Sequence, residues 1–467
     1  PYLFNFVNIR DQDTWVHMKF PQEAFEKAKD LVRMGVAKSA KLEPLEKIVV
    51  DMNPTALVVG GGVSGMTAAV SLSNQGFKTY LIEKENQLGG KLRTLYKLFP
   101  TDQEASIILN NLKEKVENSQ KLTVYTSARI KNIEGFVGNY EVEIEQNGKI
   151  INLTIGTIIV AVGASLYTPT KYYGYDGKIR ITQHELEEKL KNGDFNSKDV
   201  VMIQCVGARD EKRVYCSNVC CMTALKNALI IKEKNPESHI TILFRDLYTP
   251  GTLYEDYYRR AREAGIIFIE HTLERLPIVE EDMVKVFNEY IGEEVVIPYD
   301  LLVLSTPLVA NKDNKDLAQM LKVPLEENKF FLEAHVKLRP MDFATDGVYI
   351  CGSAKWPVDI TEAITQGYAA ASRASTILSH NTLEVEGATS FMPEWNKSLC
   401  KGCEVCITVC PYKAINKDEN DEIVITQVLC KGCGVCGATC VTNAIVIRHF
   451  TDEQILAEIS AFAHGGE

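Results

Sequence analysis

The pattern of apolar and polar positions changes period several times along the chain, and each change marks an element. TALVVGGG (55–62) is a short, continuous apolar run ending in glycines. VSGMTAAVSLSNQG (63–76) has helical composition, and KTYLIEKE (78–85) returns to strand. Between 122 and 160 the alternation is two-residue, as in LTVYTS and NYEVEIEQNGKIINLTI, with an Asn147-Gly148 turn signal. That predicts a β-meander. TIIVAVGA (157–164) reads as a buried strand ending in Gly163. The pattern then restarts: strand DVVMIQCVG (199–207), helix MTALKNALIIKEK (222–234), strand HITILFRD (239–246), helix YEDYYRRAREAG (254–265) and strand IIFIE (266–270). YDLLVLST (299–306) closes this second βαβ unit, nested inside the first, and DGVYICGS (346–353) returns to the first scaffold. Residues 20–47 look helical and amphipathic, 381–394 read as a linker, and TDEQILAEISAFA (451–463) as a short helix with Thr451 as its cap.

At 467 residues the chain is long enough for about three domains. A charged fraction of 24% and a hydrophobic fraction of 45% point to an ordinary globular protein, not a disordered or fibrous one. No run reaches the ~18 apolar residues of a transmembrane helix. The start, PYLFNFVNIRDQDTW, carries no signal-peptide pattern, and Pro1 in place of Met suggests part of a longer polypeptide. A net charge of −11 argues against nucleic acid and anionic membrane, and fits a soluble partner with a basic docking patch.

Gly60, Gly62 and Gly65 satisfy G-x-G-x-x-G between a strand and a helix. Such glycines permit a tight turn and let the backbone approach a pyrophosphate at a helix N-terminus. Glu83 ends the second strand 18 residues beyond Gly65, placed to accept from ribose hydroxyls. These residues alone leave FAD and NAD both open.

The 13 cysteines change the picture more than any other residue type. Eight form two runs of C-x-x-C-x-x-C-x-x-x-C. The first is Cys400, Cys403, Cys406 and Cys410, followed by Pro411; the second is Cys430, Cys433, Cys436 and Cys440, followed by Val441. This is the bacterial two-cluster ferredoxin spacing, in which the fourth cysteine of each run ligates the other cluster. One cluster would take Cys400, Cys403, Cys406 and Cys440, the other Cys430, Cys433, Cys436 and Cys410. Zinc sites use two pairs instead. Four more cysteines, Cys205, Cys216, Cys220 and Cys221, sit where the nested unit would carry a glycine fingerprint, and only Gly207 stands there. Four thiolates at a strand end and helix start could hold one 4Fe–4S cubane. Buried structural cysteine and a redox dithiol are the alternatives, although the C-x-x-C of a dithiol is absent. Cys351 reads as core. Tight clusters in a large chain point to metal ligation in a reducing cytoplasm. Lys226, five residues after Cys221, would bring an ammonium near cluster and flavin, a solvated helix lysine being the alternative.

The segment after Glu83 (KENQLGGKL, with Lys84, Gly89, Gly90 and Lys91), the meander and TIIVAVGA resemble the flavoprotein family that includes thioredoxin reductase. That resemblance implies FAD. It places Gly89 and Gly90 on the cofactor, makes Gly163 the end of the first FAD segment, and gives DGVYICGS the second. Gly352-Ser353 stands where the family has Gly-Asp, so one ribityl contact of the family is not carried over. NIRDQDTWVHMKFPQEAFEKAKDLVRMGVAK, GGGVSGM, QCVGARDE…YCSNVCCMTALKNAL, the two ferredoxin runs and HFTDEQILAEI together resemble the A-type subunits of heterodisulfide reductase over nearly the whole chain.

That second resemblance implies FAD beside a cluster on the unusual cysteine set, three 4Fe–4S clusters in all, and flavin-based electron bifurcation within larger cytoplasmic complexes of anaerobes. The expected partners are the other subunits of such a complex, ferredoxin, a hydrogenase or formate dehydrogenase type donor and a second copy of the chain. The expected fold is α/β, with two nested Rossmann-like units and a C-terminal two-cluster α+β ferredoxin domain. Its expected boundaries are 1–50 for a helical segment, 51–170 and 306–385 for the FAD domain, 171–305 for the nested unit, 386–450 for the ferredoxin domain and 451–467 for the tail. The members of the family with an inserted ferredoxin domain differ here, because only NYEVEIEQNGKIINLTI occupies that place. An NAD(P)H-dependent oxidoreductase and a non-bifurcating relay remain the alternatives.

Overall fold

The computed structural model describes residues 3–44, 48–385 and 393–463, which form two compact units. One unit runs from Met52 to Asn381; the other joins residues 1–51 to residues 382–467.

The larger unit contains two parallel five-stranded sheets. In the first, the order is Val348–Ile350, Thr157–Val160, Thr55–Val59, Lys78–Ile82 and Leu122–Tyr125. Val58 pairs with Ile159 on one side and Leu81 on the other. Thr55–Val59 and Thr157–Val160 are buried along their whole length, as expected of parallel strands covered on both faces. In the nested sheet the order is Arg180–Thr182, Leu301–Leu304, Asp199–Ile203, His239–Phe244 and Ile267–Glu270. The strand that closes this unit in sequence therefore lies inside the sheet.

Each parallel sheet is accompanied by a three-stranded antiparallel meander. The first is Ala128–Phe136, Asn139–Gln146 and Lys149–Ile155. Tyr140, Val142 and Ile144 face its core on alternate positions, and Asn147 and Gly148 both adopt positive φ (51° and 76°) in the tight turn. The second meander, Ile278–Val279, Met283–Asn288 and Glu293–Pro298, is not evident in the sequence pattern. Only its middle strand alternates, burying Val284 and Val286; Ile278–Val279 is two residues long and Glu293–Pro298 is mostly exposed. Ser165–Leu166 and Leu308–Val309 pair antiparallel where the chain enters and leaves the nested unit.

The helix Val63–Asn74 packs on Ile360–Leu378, with Gly367 against the backbone of Ser64, where a Cβ would come within 2.7 Å of a carbonyl oxygen. Asp359 caps Ile360–Leu378 by accepting from the Glu362 amide (2.8 Å). Thr182 and Glu185 form a reciprocal capping box on Gln183–Asn192, which ends in left-handed Gly193.

In the smaller unit the helix Pro21–Ser39 packs against Asp452–Ala463. Thr451 starts the latter, its Oγ1 accepting from the Gln454 amide (3.4 Å) while Gln454 Oε1 accepts from Thr451 N (3.0 Å). The pieces expected at 1–50, 386–450 and 451–467 fall within one compact unit. The expected linker 381–394 is corrected. Thr382–Val385 pairs with Ile48–Asp51, and Pro393–Trp395 with Ile445–Ile447. The remainder of that stretch, 386–392, lies outside the described residues. Among the described residues no helix is long and apolar enough to cross a membrane.

Candidate functional site

The first parallel sheet ends in the glycine loop. Gly60 has φ +111°, and a Cβ there would sit 2.4 Å from the Ala161 carbonyl oxygen. A Cβ on Gly65 would come within 1.8 Å of the Gly60 oxygen, so only glycine lets the helix approach the strand this closely. A Cβ on Gly62 would meet nothing within 4 Å. The helix Val63–Asn74 has no side-chain cap on its first amides, which leaves donors and the positive end of the helix dipole for an anion.

Glu83 is buried; its Oε2 accepts from Gly61 N (2.7 Å) and its Oε1 from Glu85 N (2.8 Å). Two backbone bonds hold the carboxylate and leave lone pairs for ribose hydroxyls. Gly89 (φ +119°) and Gly90 (φ +51°) carry the next loop against the first, Gly89 N donating to Gly61 O (2.8 Å).

These loops enclose a cavity of about 570 Å³. Gly60, Gly62, Glu83, Lys84, Gly89, Gly90, Lys91, Gly163 and Ser353 line it; Gly65 and Gly352 shape its backbone from behind. Gly352 (φ +66°) lies against Ser64, and its amide donates to Gln366 Oε1 (2.8 Å), so the second FAD segment docks on the first helix. Burial, and Lys84 nearby, lower the Lys91 ammonium to about 8. A half-buried cation so disfavoured is relieved by an anionic group. Open space at Gly62, an uncapped helix start and an underpaired lysine together fit a dinucleotide pyrophosphate.

The same cavity is lined by Val219, Cys220, Thr223 and Lys226 of the nested unit. Lys226 is neither solvated nor a lone cation. It is 2% exposed and ion-paired with Glu187 Oε1, which also accepts from Tyr96 N (2.9 Å). Burial pushes the Lys226 ammonium down, and the Glu187 carboxylate opposes that. Glu187 Oε2 is buried in the cavity wall without a hydrogen-bond partner. Sequence reasoning missed Glu187, although the capping box places it one turn into a helix with Gln183 on the same face. It also missed Asn311, whose Nδ2 donates to Val162 O (2.9 Å) and Gly163 O (3.0 Å) and fixes the end of the first FAD segment.

Cys205 ends the strand Asp199–Ile203 in a left-handed conformation (φ +58°), and Cys220 and Cys221 open the helix Cys220–Lys234. Arg245 donates to the carbonyls of Ala208 and Arg209 (2.8 Å each), and Tyr215 Oη to Leu308 O (2.8 Å), so the loop between is pinned at both ends. Burial pushes the Cys220 thiol well above the usual range, reinforced by Cys221, Cys205 and Cys216; Cys221 is pushed up to about 12, first by burial, with Cys205 and Cys216 adding to it. Arg209 Nη1 approaches Cys205 Sγ at 3.9 Å, a cation beside the quartet.

In the smaller unit the two ferredoxin runs adopt matching conformations. Gly402 and Gly432 have φ +68° and +63°, Glu404 and Gly434 +59° and +78°, Lys413 and Asn443 +51° and +53°. The Gly402 and Gly432 amides each donate to the preceding cysteine Sγ, Cys400 and Cys430, at 3.5 Å. Cys436 is pushed up to about 11, first by burial, with Cys430, Cys433 and Cys410 all adding to it; Cys406 is raised by burial and by Cys403 and Cys400.

No group of three or more His, Cys, Asp or Glu side chains among the described residues is arranged to hold a single metal ion. A cubane binds each thiolate to a different iron, so its ligands stand further apart than those of one ion. All-sulfur donor sets whose mutual repulsion a cationic iron–sulfur core would relieve, with amide N–H groups on the sulfurs, fit such clusters. Cys351 is fully buried in the core and takes no part.

Comparison with known proteins was consistent with this geometry. An NAD(P)-binding Rossmann-like domain family matches residues 58–105, and a 4Fe-4S binding domain family matches 392–415. The chain is 34% identical to an iron-sulfur A-type subunit, the second of two, of the CoB–CoM heterodisulfide reductase of Methanopyrus kandleri, over 90% of this chain and 78% of that one. It is 34% identical to the A-type subunit of the H(2):CoB-CoM heterodisulfide,ferredoxin reductase of Methanothermobacter thermautotrophicus (98% and 84% covered). It is 33% identical to the A-type subunit of the H(2)/formate:CoB-CoM heterodisulfide,ferredoxin reductase of Methanococcus maripaludis (100% and 86% covered). Among solved structures, the thioredoxin reductase of T. acidophilum aligns with 69% of this chain and 99% of its own at 17% identity and TM-score 0.48.

Proposed function

The chain belongs to the family of heterodisulfide reductase A-type subunits, and we propose that it is the FAD- and 4Fe–4S-dependent electron-transfer subunit of a heterodisulfide-reductase-like complex, working by flavin-based bifurcation or confurcation with ferredoxin. The observation that carries this reading is the presence of Cys220 in the wall of the cavity that Gly60 and Gly62 also line. One member of the cysteine quartet and the dinucleotide cradle share one space. FAD supplies interconversion of two-electron and one-electron chemistry, and each cluster carries single electrons.

The chain's own residues divide the remaining work. Gly60, Gly62 and Gly65 admit the pyrophosphate, with Lys91 as its counter-charge, and Glu83 accepts from the ribose. Gly89, Gly90, Gly163, Gly352 and Ser353 shape the cavity, and Lys84 stands at its edge. Lys226 Nζ, paired with Glu187 Oε1 in the cavity wall, is the group placed to face a reduced flavin. Cys205, Cys216, Cys220 and Cys221 hold the flavin-side cluster. The two ferredoxin runs hold two more, so full loading is roughly twelve irons per FAD, at four thiolates per cubane. The names of the relatives support ferredoxin and a hydrogen- or formate-oxidising module as partners. A homodimer within a cytoplasmic complex is part of the same proposal.

The test is an anaerobic stopped-flow mix of the oxidised, fully loaded protein with each donor, following flavin absorbance. Reduced low-potential ferredoxin should bleach it, and NADH and NADPH should not, because a cysteine loop replaces the phosphate-cradling glycines of the nested unit. Fast, saturable bleaching by either nicotinamide would move the assignment to an NAD(P)H oxidoreductase.

A further inference from the structure

A second cleft, of about 670 Å³, opens in the larger unit beside the cysteine loop. Its lining is strongly cationic: Lys212 and Arg213 from one segment, Lys312, Lys315 and Lys329 from another, with Glu327 as the one carboxylate. All four lysines are exposed, and among the described residues none has a carboxylate partner. The acid next to Lys312 in the chain, Asp313, is shared by Lys84 and Arg129 at 3.4 Å each. Arg213 is held over the Tyr167 ring, 4.1 Å from its centroid, and donates to Gly207 O (3.2 Å), with the Asp210 carboxylate near enough to feel its charge.

Five cations against one carboxylate in the lining stand out on a chain whose net charge is −11. Like charges this close repel one another, and Glu327 and Asp210 offset that cost only in part. Two of them also stand next to the cysteines in the chain. Lys212, Arg213 and Tyr215, which also lines the cleft, lie in the loop between Cys205 and Cys216. Val214, between them, is 72% exposed and offers an apolar contact.

We propose that this cleft is the docking site for the acidic face of a soluble electron-carrier protein of ferredoxin type, which brings the carrier to the cysteine loop. The inference rests on the electron-transfer reading above and adds to it a place. A protein surface fits better than a small anion. The lysines are solvated and spread over two segments, and none of the buried, unpartnered polar side chains lines the cleft. With the rest of the chain acidic, an acidic carrier is repelled elsewhere and steered here, so both association and orientation depend on this one patch.

The experiment uses the full chain loaded with FAD and iron, and an oxidised, acidic two-cluster ferredoxin as probe, with affinity measured at about 50 and about 500 mM salt. The variant is Lys312→Glu with Lys315→Glu, two exposed residues outside the dinucleotide cavity. Lys149→Glu, just after the turn of the first meander, is the control for charge reversal outside the cleft. The double variant should bind at least about tenfold more weakly at low salt, with the difference shrinking at high salt, while Lys149→Glu stays within about twofold. Absorbance and iron content should be unchanged in both. Equal affinity of wild type and double variant overturns the docking site and leaves the electron-transfer reading standing. A wild type that binds no ferredoxin at either salt overturns both. Saturable binding of inorganic phosphate that disappears in the double variant, with ferredoxin affinity unchanged, replaces the docking site by a small-anion site.

Discussion

At the scale of single residues, two lysines in the dinucleotide cavity illustrate opposite solutions to burying a cation. Lys91 has no carboxylate and is held down to about 8; Lys226 has Glu187. For Lys91 the sign of the pH effect follows from linkage. Below about 8 the side chain is protonated in the free protein and binds phosphate without taking up a proton. Above that, binding an anion must first recharge it, so affinity falls by up to about tenfold per pH unit until the bound-state pKa is passed. FAD dissociation constants measured on the apoprotein should therefore be flat from about pH 6.5 to 7.5 and rise above pH 8. The rise should be absent in Lys91→Met; an identical profile in both proteins would remove Lys91 from the phosphate site. For Lys226, deletion leaves a buried, unpaired carboxylate, which costs about 3–5 kcal/mol. Lys226→Met should lose stability of that order in chemical denaturation, and Lys226→Met with Glu187→Gln should regain most of it. The flavin midpoint potential should fall in the single variant. If redox titration shows the same potential for wild type and both variants, the pair is structural only.

At the scale of elements, the ferredoxin runs show how repeated spacing becomes repeated geometry. The left-handed residues, the one-turn helices Val405–Val409 and Val435–Thr439 and the buried Ala414-Ile415 and Ala444-Ile445 pairs recur in register. Cys410 acts electrostatically on Cys430 and Cys436 of the other run, as an exchange of the fourth cysteine would require. Cys410→Ala should therefore cost about four irons, all from the second run's cluster. Adding Cys436→Ala should remove no more, whereas adding Cys406→Ala should remove about four further irons. Iron assays that reverse this order would place Cys410 with its own run.

At the scale of the whole molecule, each unit unites distant parts of the chain. In the smaller unit, Lys38 lies 4.2 Å from the Phe450 ring centroid and 3.5 Å from Glu458, so the helix near the start is tied to the one near the end. The larger unit repeats one plan, a parallel five-stranded sheet with a meander, but equips only the first copy with a glycine cradle. In the second copy the strand-to-helix turn carries Cys205, Cys216, Cys220 and Cys221. Loops at the carboxyl ends of parallel strands carry the chemistry of such folds, so the plan is kept while the chemistry changes.

The features legible in the sequence were those whose meaning lies in short spacing. The glycine fingerprint, the Asn147-Gly148 turn, the buried strands and the cysteine runs are local constraints on backbone and ligand reach, readable without knowing what lies across the fold. Other features had no local signal, because topology sets pairs far apart in the chain. Glu187 meets Lys226 across 39 residues, and Asn311 clamps Val162 and Gly163 across nearly 150. The second meander escaped because only its middle strand alternates. Lys212 and Lys329 each look like ordinary surface charges along the chain; only the folding of their two segments onto one cleft concentrates them beside the cysteine loop.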